Sequence, residues 1–354
     1  MTKFIMSRRR LIKVGATSAA LVGIAPAIIT REVEAQERAV YVNTWGGGFT
    51  EAEDHAFYKP FTAATGIPVK PVTPVSFAKL KAQVQTGTYD WDITTFGSVE
   101  LAQGMVEGLY EPVDTSIIKA DKLGPGQVLP YAVGSQGLST LLCYRKDKFP
   151  NGGPQSWADF WDVKKFPGNR ALYNQSYTIV AYALLADGVP KDKLYPLDLD
   201  RAFKKLNEIK PHIKVWWTQG NQSQQIIKDG EVDMLPLWNA RAQELVDAGV
   251  PIQMVWNEAQ FQDVYWEVAK GTPRAKLAWE FIAFAAQGKP QAEFAKKMPY
   301  GPTNPKAFDF LTKAEADRLP TSPEHIKVAY KPDAEWLGKN LDSLKERFAQ
   351  WLAG

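Results

Sequence analysis

Five large aromatic residues, Trp45, Phe96, Trp217, Trp238 and Trp266, fall at or near the C-terminal ends of segments whose apolar character marks them as strands. Open α/β sheets bind their ligands outside those ends. Aromatic faces placed there enclose an alkyl chain and attract an ammonium group by about 0.5–2 kcal/mol per good pair. Core packing accounts for any one of them; several at equivalent points are harder to assign to packing alone. Arg241 follows Trp238 and Asn239 in the first turn of the next expected helix, where a cation opposes the helix dipole by roughly 0.3–1 kcal/mol. A bound anion reverses that penalty, because a guanidinium beside free backbone N–H groups offers a carboxylate charge and a two-pronged hydrogen bond. The plain alternative is an exposed arginine with no specific contact. Ser98 and Ser176 stand at helix starts after matching strands. Capping is their default role, and donation to the same carboxylate is the functional one.

Other chemistries lack their residues. His55, His212 and His325 are the only histidines and none lies four residues from another, so no His-pair metal site is expected. There is no Gly-x-Ser-x-Gly and no phosphate loop, and Gly46 to Gly48 lacks the third glycine of a dinucleotide fingerprint. Its plain reading is a flexible strand-to-helix turn. Carboxylates are scattered, and Cys143 is the single cysteine, which rules out an internal disulfide. No cofactor is expected, and an enzyme is unsupported.

Ser7-Arg8-Arg9-Arg10-Leu11-Ile12-Lys13 before an uncharged, Ala-rich stretch from Val14 to Thr30 reads as a twin-arginine export signal, with Val33-Glu34-Ala35 offering the cleavage site. A membrane anchor is disfavoured, since the run reaches about 17 residues and a spanning helix needs about 20. The whole chain's +3 charge becomes about −1 once residues 1–35, with six cations and two anions, are set aside. The folded part therefore has no bias toward nucleic acid or anionic lipid. A mature chain of about 320 residues exceeds one compact domain of usual size and predicts two lobes.

The elements that must hold the aromatic residues alternate strand and helix. Val40 to Trp45 is a strand leading through Gly46-Gly47-Gly48 into a helix, with Thr50 and Glu53 at capping-box spacing. A strand follows near Val69 to Val72. Ser76 caps a helix from Phe77 to Thr86 that Gly87 ends, and Asp92 to Phe96 is the next strand. After the Gly/Pro-rich passage from Gly124 to Gly137, a second series places strands at Ser139 to Tyr144, Ala171 to Tyr173, Val215 to Trp217 and Val232 to Trp238. A helix from Ala275 to Ala286 and another from Glu335 to Leu352 complete it. This order favours a largely parallel sheet flanked by helices.

On these residues the chain resembles the spermidine/putrescine-type periplasmic binding proteins, the solute receptors of ABC importers. Carrying the resemblance in family order are Phe61-Thr62-Ala63-Ala64-Thr65-Gly66-Ile67-Pro68-Val69, Thr88-Tyr89-Asp90-Trp91-Asp92, Ser156-Trp157-Ala158-Asp159-Phe160-Trp161, Gly230-Glu231-Val232-Asp233, Leu237-Trp238-Asn239 and Gly301-Pro302-Thr303-Asn304. It implies an α/β fold, a two-lobed periplasmic binding protein of type II with a two-strand hinge and a central ligand cleft. The expected division is a signal peptide at 1–35, lobe 1 at 36–138 and 270–320, lobe 2 at 139–269, and a C-terminal helical segment at 321–354. The implied partners are a small solute and an inner-membrane ABC permease; the expected state is a periplasmic monomer that binds no nucleic acid.

Departures from the family pattern bear on the solute. Where polyamine receptors carry acids after the strand matching Ala171 to Tyr173, this chain has Asn174, Gln175, Ser176 and Tyr177. A further acidic position falls on Trp266, or on Glu267 after a one-residue slip. Burying an ammonium without a partner costs several kcal/mol. The expected solute is thus a small zwitterion such as γ-aminobutyrate, which related receptors bind. Arg241 would take the carboxylate, while Trp45, Trp238, Trp266 and Tyr300 enclose the chain and the ammonium. Phe96, Ser98, Asn174 and Ser176 complete the expected site, and Asp263 or Glu267 is the candidate acid. A polyamine or 2-aminoethylphosphonate is the alternative solute, and an exported cofactor enzyme the alternative class.

Overall fold

Short runs of β-branched and aromatic residues form the strands, and glycine and polar residues set the turns between them. The computed structural model describes residues 38–354; the export segment and its cleavage site lie outside the described residues. The strands are β1 (Val40–Asn43), β2 (Val69–Val72), β3 (Ile93–Gly97), β4 (Val133–Arg145), β5 (Arg170–Tyr173), β6 (Ile213–Trp217), β7 (Met234–Trp238), β8 (Ile252–Val268) and β9 (Gly301–Pro302). Helices used below are α1 (Gly47–Glu53), α2 (Lys59–Thr65), α3 (Phe77–Thr86), α4 (Ser98–Val106), α5 (Ser176–Ala186), α6 (Gly220–Lys228), α7 (Asn239–Asp247), α8 (Ala275–Ala285), α9 (Gly288–Lys297) and α10 (Ala334–Ala353).

The sheet is mixed, with strand order β2-β1-β3-β8-β4-β7-β5-β6 and β9 beside β4. β1 pairs in parallel with β2 and β3, and β5 with β6 and β7, as expected of strands linked through helical crossovers. Between these two sets β4 and β8 form a long antiparallel ribbon, from Val133 opposite Trp266 to Arg145 opposite Ile252. The sheet is therefore less parallel than the alternation of elements predicts. The strand expected at Ser139 to Tyr144 also begins earlier, inside the glycine-rich passage. Those glycines permit close approach: a Cβ at Gly137 would stand 2.6 Å from Phe261 of the neighbouring strand.

Register shows where the strand ends meet. The C-terminal residue of β3, Gly97, faces Val264 of β8; the C-terminal residue of β7, Trp238, faces Thr140 of β4, which is itself paired with Gln260. Strand ends from both parallel sets thus converge on one stretch of the ribbon, separated along β8 by four residues or about 13 Å.

Buried apolar residues reflect the same arrangement. One group of clusters unites the first parallel set with α8 and α9, and another unites the second set with α5 and α10. Val99 of α4 joins the second group and Ala240 of α7 the first, so these helices bring the two groups into contact. α10 buries Leu337, Leu341, Leu344 and Phe348 at helical spacing.

Ser76 accepts from the Lys79 N–H at 3.2 Å, and Gly87 ends α3 in the left-handed region. Ser98 and Ser176 depart from the capping expected of them. Each is the first residue of its helix, after Gly97 and Gln175, and neither makes a side-chain cap. Thr50 and Glu53 form no capping box either, because α1 starts at Gly47 and both residues lie inside the helix.

Candidate functional site

At the convergence of strand ends, Tyr173, Trp217 and Trp238 from β5, β6 and β7 form one aromatic surface. Tyr173 and Trp217, register partners in adjacent strands, stack with ring centres 4.1 Å apart. Trp238 meets both edge-on at 5.9 Å. Burial pushes the Tyr173 hydroxyl up to about 12, with the nearby Glu100 carboxyl adding to the effect.

Arg241 lies half-buried beside this surface, its guanidinium carbon 5.8 Å from the Trp238 ring centre. Nη1 donates to Gln224 Oε1 at 2.8 Å, and Gln224 Nε2 donates in turn to Glu244 at 2.7 Å and to the Arg241 carbonyl at 3.2 Å. No carboxylate among the described residues stands within ion-pair distance of Arg241. Gly220 makes room for it: a Cβ there would lie 2.3 Å from Arg241 Nε and 2.7 Å from Trp238 Cζ3. Asn239, next to Trp238, accepts from the Ser139 N–H at 2.9 Å and donates to the Pro299 carbonyl at 2.6 Å, tying α7 to the ribbon and to the segment before Tyr300. Tyr300 packs on Phe49 at 6.1 Å. Burial raises its hydroxyl to about 12 against the pull of Arg241, which places the cation within electrostatic reach.

From the other parallel set comes Trp45, 50% exposed just beyond β1, with Nε1 donating to Thr95 Oγ1 at 3.2 Å. Gly46 and Gly47 after it take φ of 76° and 56°, a conformation that favours glycine. Ser98 is half-buried at the start of α4.

Not every expected residue meets here. Trp266 is 1% exposed and packs edge-on against Phe57 at 5.7 Å, and Phe96 is 4% exposed against Phe77 at 5.5 Å. Both are core residues, on opposite faces of the sheet: Trp266 lies on the face of its register partner Thr95, and Phe96 on the face of Tyr265. Asn174 and Ser176 line a cavity of about 490 Å³ against Lys345, Phe348, Ala349 and Leu352 of α10. Of the two candidate acids, Glu267 is fully buried, accepts from the Phe96 N–H at 3.2 Å, and is pushed well above the carboxylate range by burial. Asp263 lies on the ribbon between Gln260 and Val264, half-buried and 2.8 Å from Lys331.

Tyr173 and Gln224 escaped the sequence reading. Tyr173 becomes visible only once β5 is known to pair with β6, and nothing local distinguishes Gln224 from other helical glutamines.

Over residues 56–323 the chain matches the family described as bacterial extracellular solute-binding protein. It is 36% identical over 332 residues to the gamma-aminobutyric acid-binding protein of Pseudomonas aeruginosa, covering 90% of this chain and 92% of that protein. Among solved structures it resembles an ABC transporter substrate-binding protein from Bradyrhizobium japonicum, with 37% identity, a TM-score of 0.84 and coverage of 88% and 98%. A solved GABA receptor matches with 36% identity and a TM-score of 0.82, covering 89% of this chain and 97% of that one.

Proposed function

The chain belongs to the bacterial extracellular solute-binding proteins, and from that premise we propose that it receives γ-aminobutyrate or a related ω-amino acid for an ABC importer of the inner membrane. The observation that carries the choice of solute is Arg241: a half-buried guanidinium with no carboxylate partner among the described residues, set against an aromatic surface where strand ends converge. The solute carboxylate takes the free edge of this guanidinium, replacing water–ion contacts with charge-assisted hydrogen bonds. Trp45, Tyr173 and Trp238 surround the alkyl chain, with the fully buried Trp217 backing Tyr173 and Trp238 from behind. Asp263 receives the ammonium. Because Asp263 already pairs with Lys331, an arriving ammonium exchanges one cation for another, and no new charge is stranded.

Residues 36–138 with 270–320 act as one lobe and 139–269 as the other, and the β4–β8 ribbon is the hinge on which they close. Closure excludes water from the paired charges. The receptor works as a monomer in the periplasm, reached by the twin-arginine route, and catalyses no chemical step. A polyamine is disfavoured: its second ammonium would meet Arg241, and the acids that would balance it are Asn174, Gln175 and Ser176 here.

Calorimetric titration of the exported protein with γ-aminobutyrate, putrescine, spermidine and 2-aminoethylphosphonate tests the reading. Saturable heat with γ-aminobutyrate and none with the diamines is the expected result; the reverse order refutes it. A second check uses Gly220. The methyl of Gly220→Ala drives into Arg241 and Trp238, so γ-aminobutyrate affinity should fall about tenfold, the worth of roughly one charge-assisted hydrogen bond. Alanine is the better helix former at this first position of α6. That gain offsets only part of the overpacking cost of about 1–3 kcal/mol, so the unliganded variant should melt a few degrees below the parent while still folding.

A further inference from the structure

Glu53, inside the first parallel set, is a carboxyl with no charged partner among the described residues. It is 2% exposed. Its Oε2 accepts from the Tyr58 hydroxyl at 2.7 Å and from the Thr44 hydroxyl. The first contact depends on a local irregularity: Asp54–Tyr58 is a π-helical turn between α1 and α2. At 3.6 residues per turn residues 53 and 58 would point to different sides, whereas an i→i+5 turn brings them over one another.

The second contact leads to the ligand loop. Thr44 Oγ1 lies 2.9 Å from Thr50 Oγ1, which accepts from the Gly46 N–H at 3.1 Å. Each hydroxyl has one proton to give, and an ionised carboxylate can only accept. The chain therefore runs one way, from Gly46 N–H to Thr50 to Thr44 to Glu53. Gly46, with its positive φ of 76°, is the residue after Trp45, whose Nε1 donates to Thr95.

We infer that Glu53 is a positioning residue of the solute site: its carboxylate, acting through Thr44 and Thr50, holds the Trp45–Gly48 loop in its binding geometry, and the loop loosens when that carboxylate is neutralised. The inference deepens the proposed function, and its bearing on affinity rests on that reading. Burial raises the Glu53 carboxyl to about 7 against the two hydroxyl bonds that lower it. The group therefore changes charge near neutral pH, and hydrogen bonds to an ionised acceptor are roughly twice as strong as those to a neutral one.

The surrounding charged groups are engaged or turned outward. Asp54 pairs with Lys59 of α2 at 2.6 Å; His55 lies 4.0 Å from Glu293 of α9, which Lys296 also holds at 2.9 Å. Glu51 of α1, Lys276 of α8 and Lys289 and Lys297 of α9 are exposed, and Glu280 of α8 is half-buried. Tyr58 is itself held protonated, chiefly by burial and by Glu53. None of the cations touches the Glu53 carboxyl.

Three measurements on the parent protein and Glu53→Gln test this. Parent affinity for γ-aminobutyrate should rise about fivefold from pH 6 to pH 8, the worth of one ordinary hydrogen bond, while E53Q stays flat near the parent's low-pH value. Parent thermal stability should fall relative to E53Q over the same range, because the parent must ionise a buried carboxyl. A merely structural role predicts an equal loss for E53Q at both pH values. Hydrogen exchange at residues 45–50 of the unliganded protein, corrected for intrinsic rates, should slow at pH 8 in the parent and not in E53Q. Exchange that is unchanged with pH in the parent overturns the inference. If exchange behaves as expected but γ-aminobutyrate gives no heat, the positioning role stands and the solute assignment falls.

Discussion

Replacing Arg241 by alanine is expected to weaken γ-aminobutyrate binding by two to three orders of magnitude. Truncating one partner of a desolvated charge pair costs on the order of 3–5 kcal/mol, because the other charge is left buried and unpaired. Arg241→Lys keeps the charge but loses the planar fork, and should lie between parent and alanine, roughly tenfold weaker than the parent. The folded protein should tolerate both. Among the described residues Arg241 makes a single side-chain hydrogen bond, to Gln224, and that residue retains Glu244 as a partner. Isothermal titration with circular dichroism as the control for folding measures the effect. Parent-like affinity in R241A would make the residue an ordinary surface cation and remove the basis for choosing a carboxylate-bearing solute. The same variant should gain some affinity for putrescine, since the repulsion of a second ammonium disappears.

The case for Arg241 was legible in the sequence because helix register is local. Three residues beyond Trp238, at the start of a helix that follows a strand, fixes both its place and the sign of its charge. Trp238 and Trp45 were legible for a similar reason: Trp238 ends β7 and Trp45 stands two residues beyond β1. Trp266 and Phe96 were not separable from the others because a strand end specifies position along the sheet and leaves open how deeply a side chain is covered: Trp266 shares the face of Thr95, the partner of Trp45, yet packs in the core against Phe57, while Phe96 takes the opposite face with Tyr265 and packs against Phe77. Tyr173 required knowledge of strand pairing, a long-range property. Thr50 and Glu53 show a different failure. Their spacing matches a capping box, but Gly46 and Gly47 allow the helix to begin early, and the two side chains then serve a tertiary network. The alternation of elements identified both parallel sets, whereas the ribbon between them was only partly legible: the start of β4 lies inside a glycine-rich passage that reads as loop, and the pairing of β4 with β8 is a long-range property.

Asp92 shows how the first parallel set is fastened to the end of that ribbon, and Asp92→Ala should give the largest loss of stability of any single change considered. The side chain is fully buried. It accepts both from Arg274 Nε, at 2.9 Å to each oxygen, and from Thr272 Oγ1 at 2.5 Å, and it takes the Tyr41 N–H at 2.9 Å. Its backbone bonds Tyr41 on one side and Ala269 on the other. One residue thus joins β1, β3 and the turn after β8. Arg274 is itself largely buried and lies over the Tyr41 ring at 4.7 Å. Removing the carboxylate strands that guanidinium and two further donors, an expected cost on the order of 3–5 kcal/mol. For a chain of this size the melting temperature should fall by roughly 5–10 °C. Arg274→Ala alone should cost less, since the oxygens keep Thr272 and the Tyr41 N–H. The double variant should be less destabilised than the sum of the two, by on the order of 1–3 kcal/mol. Additive losses would mean that the pair contributes packing and no mutual charge interaction. Solute affinity of the folded fraction should be little changed in all three, because the lock acts at the start of β3 while Thr95, the partner of Trp45, lies near its far end.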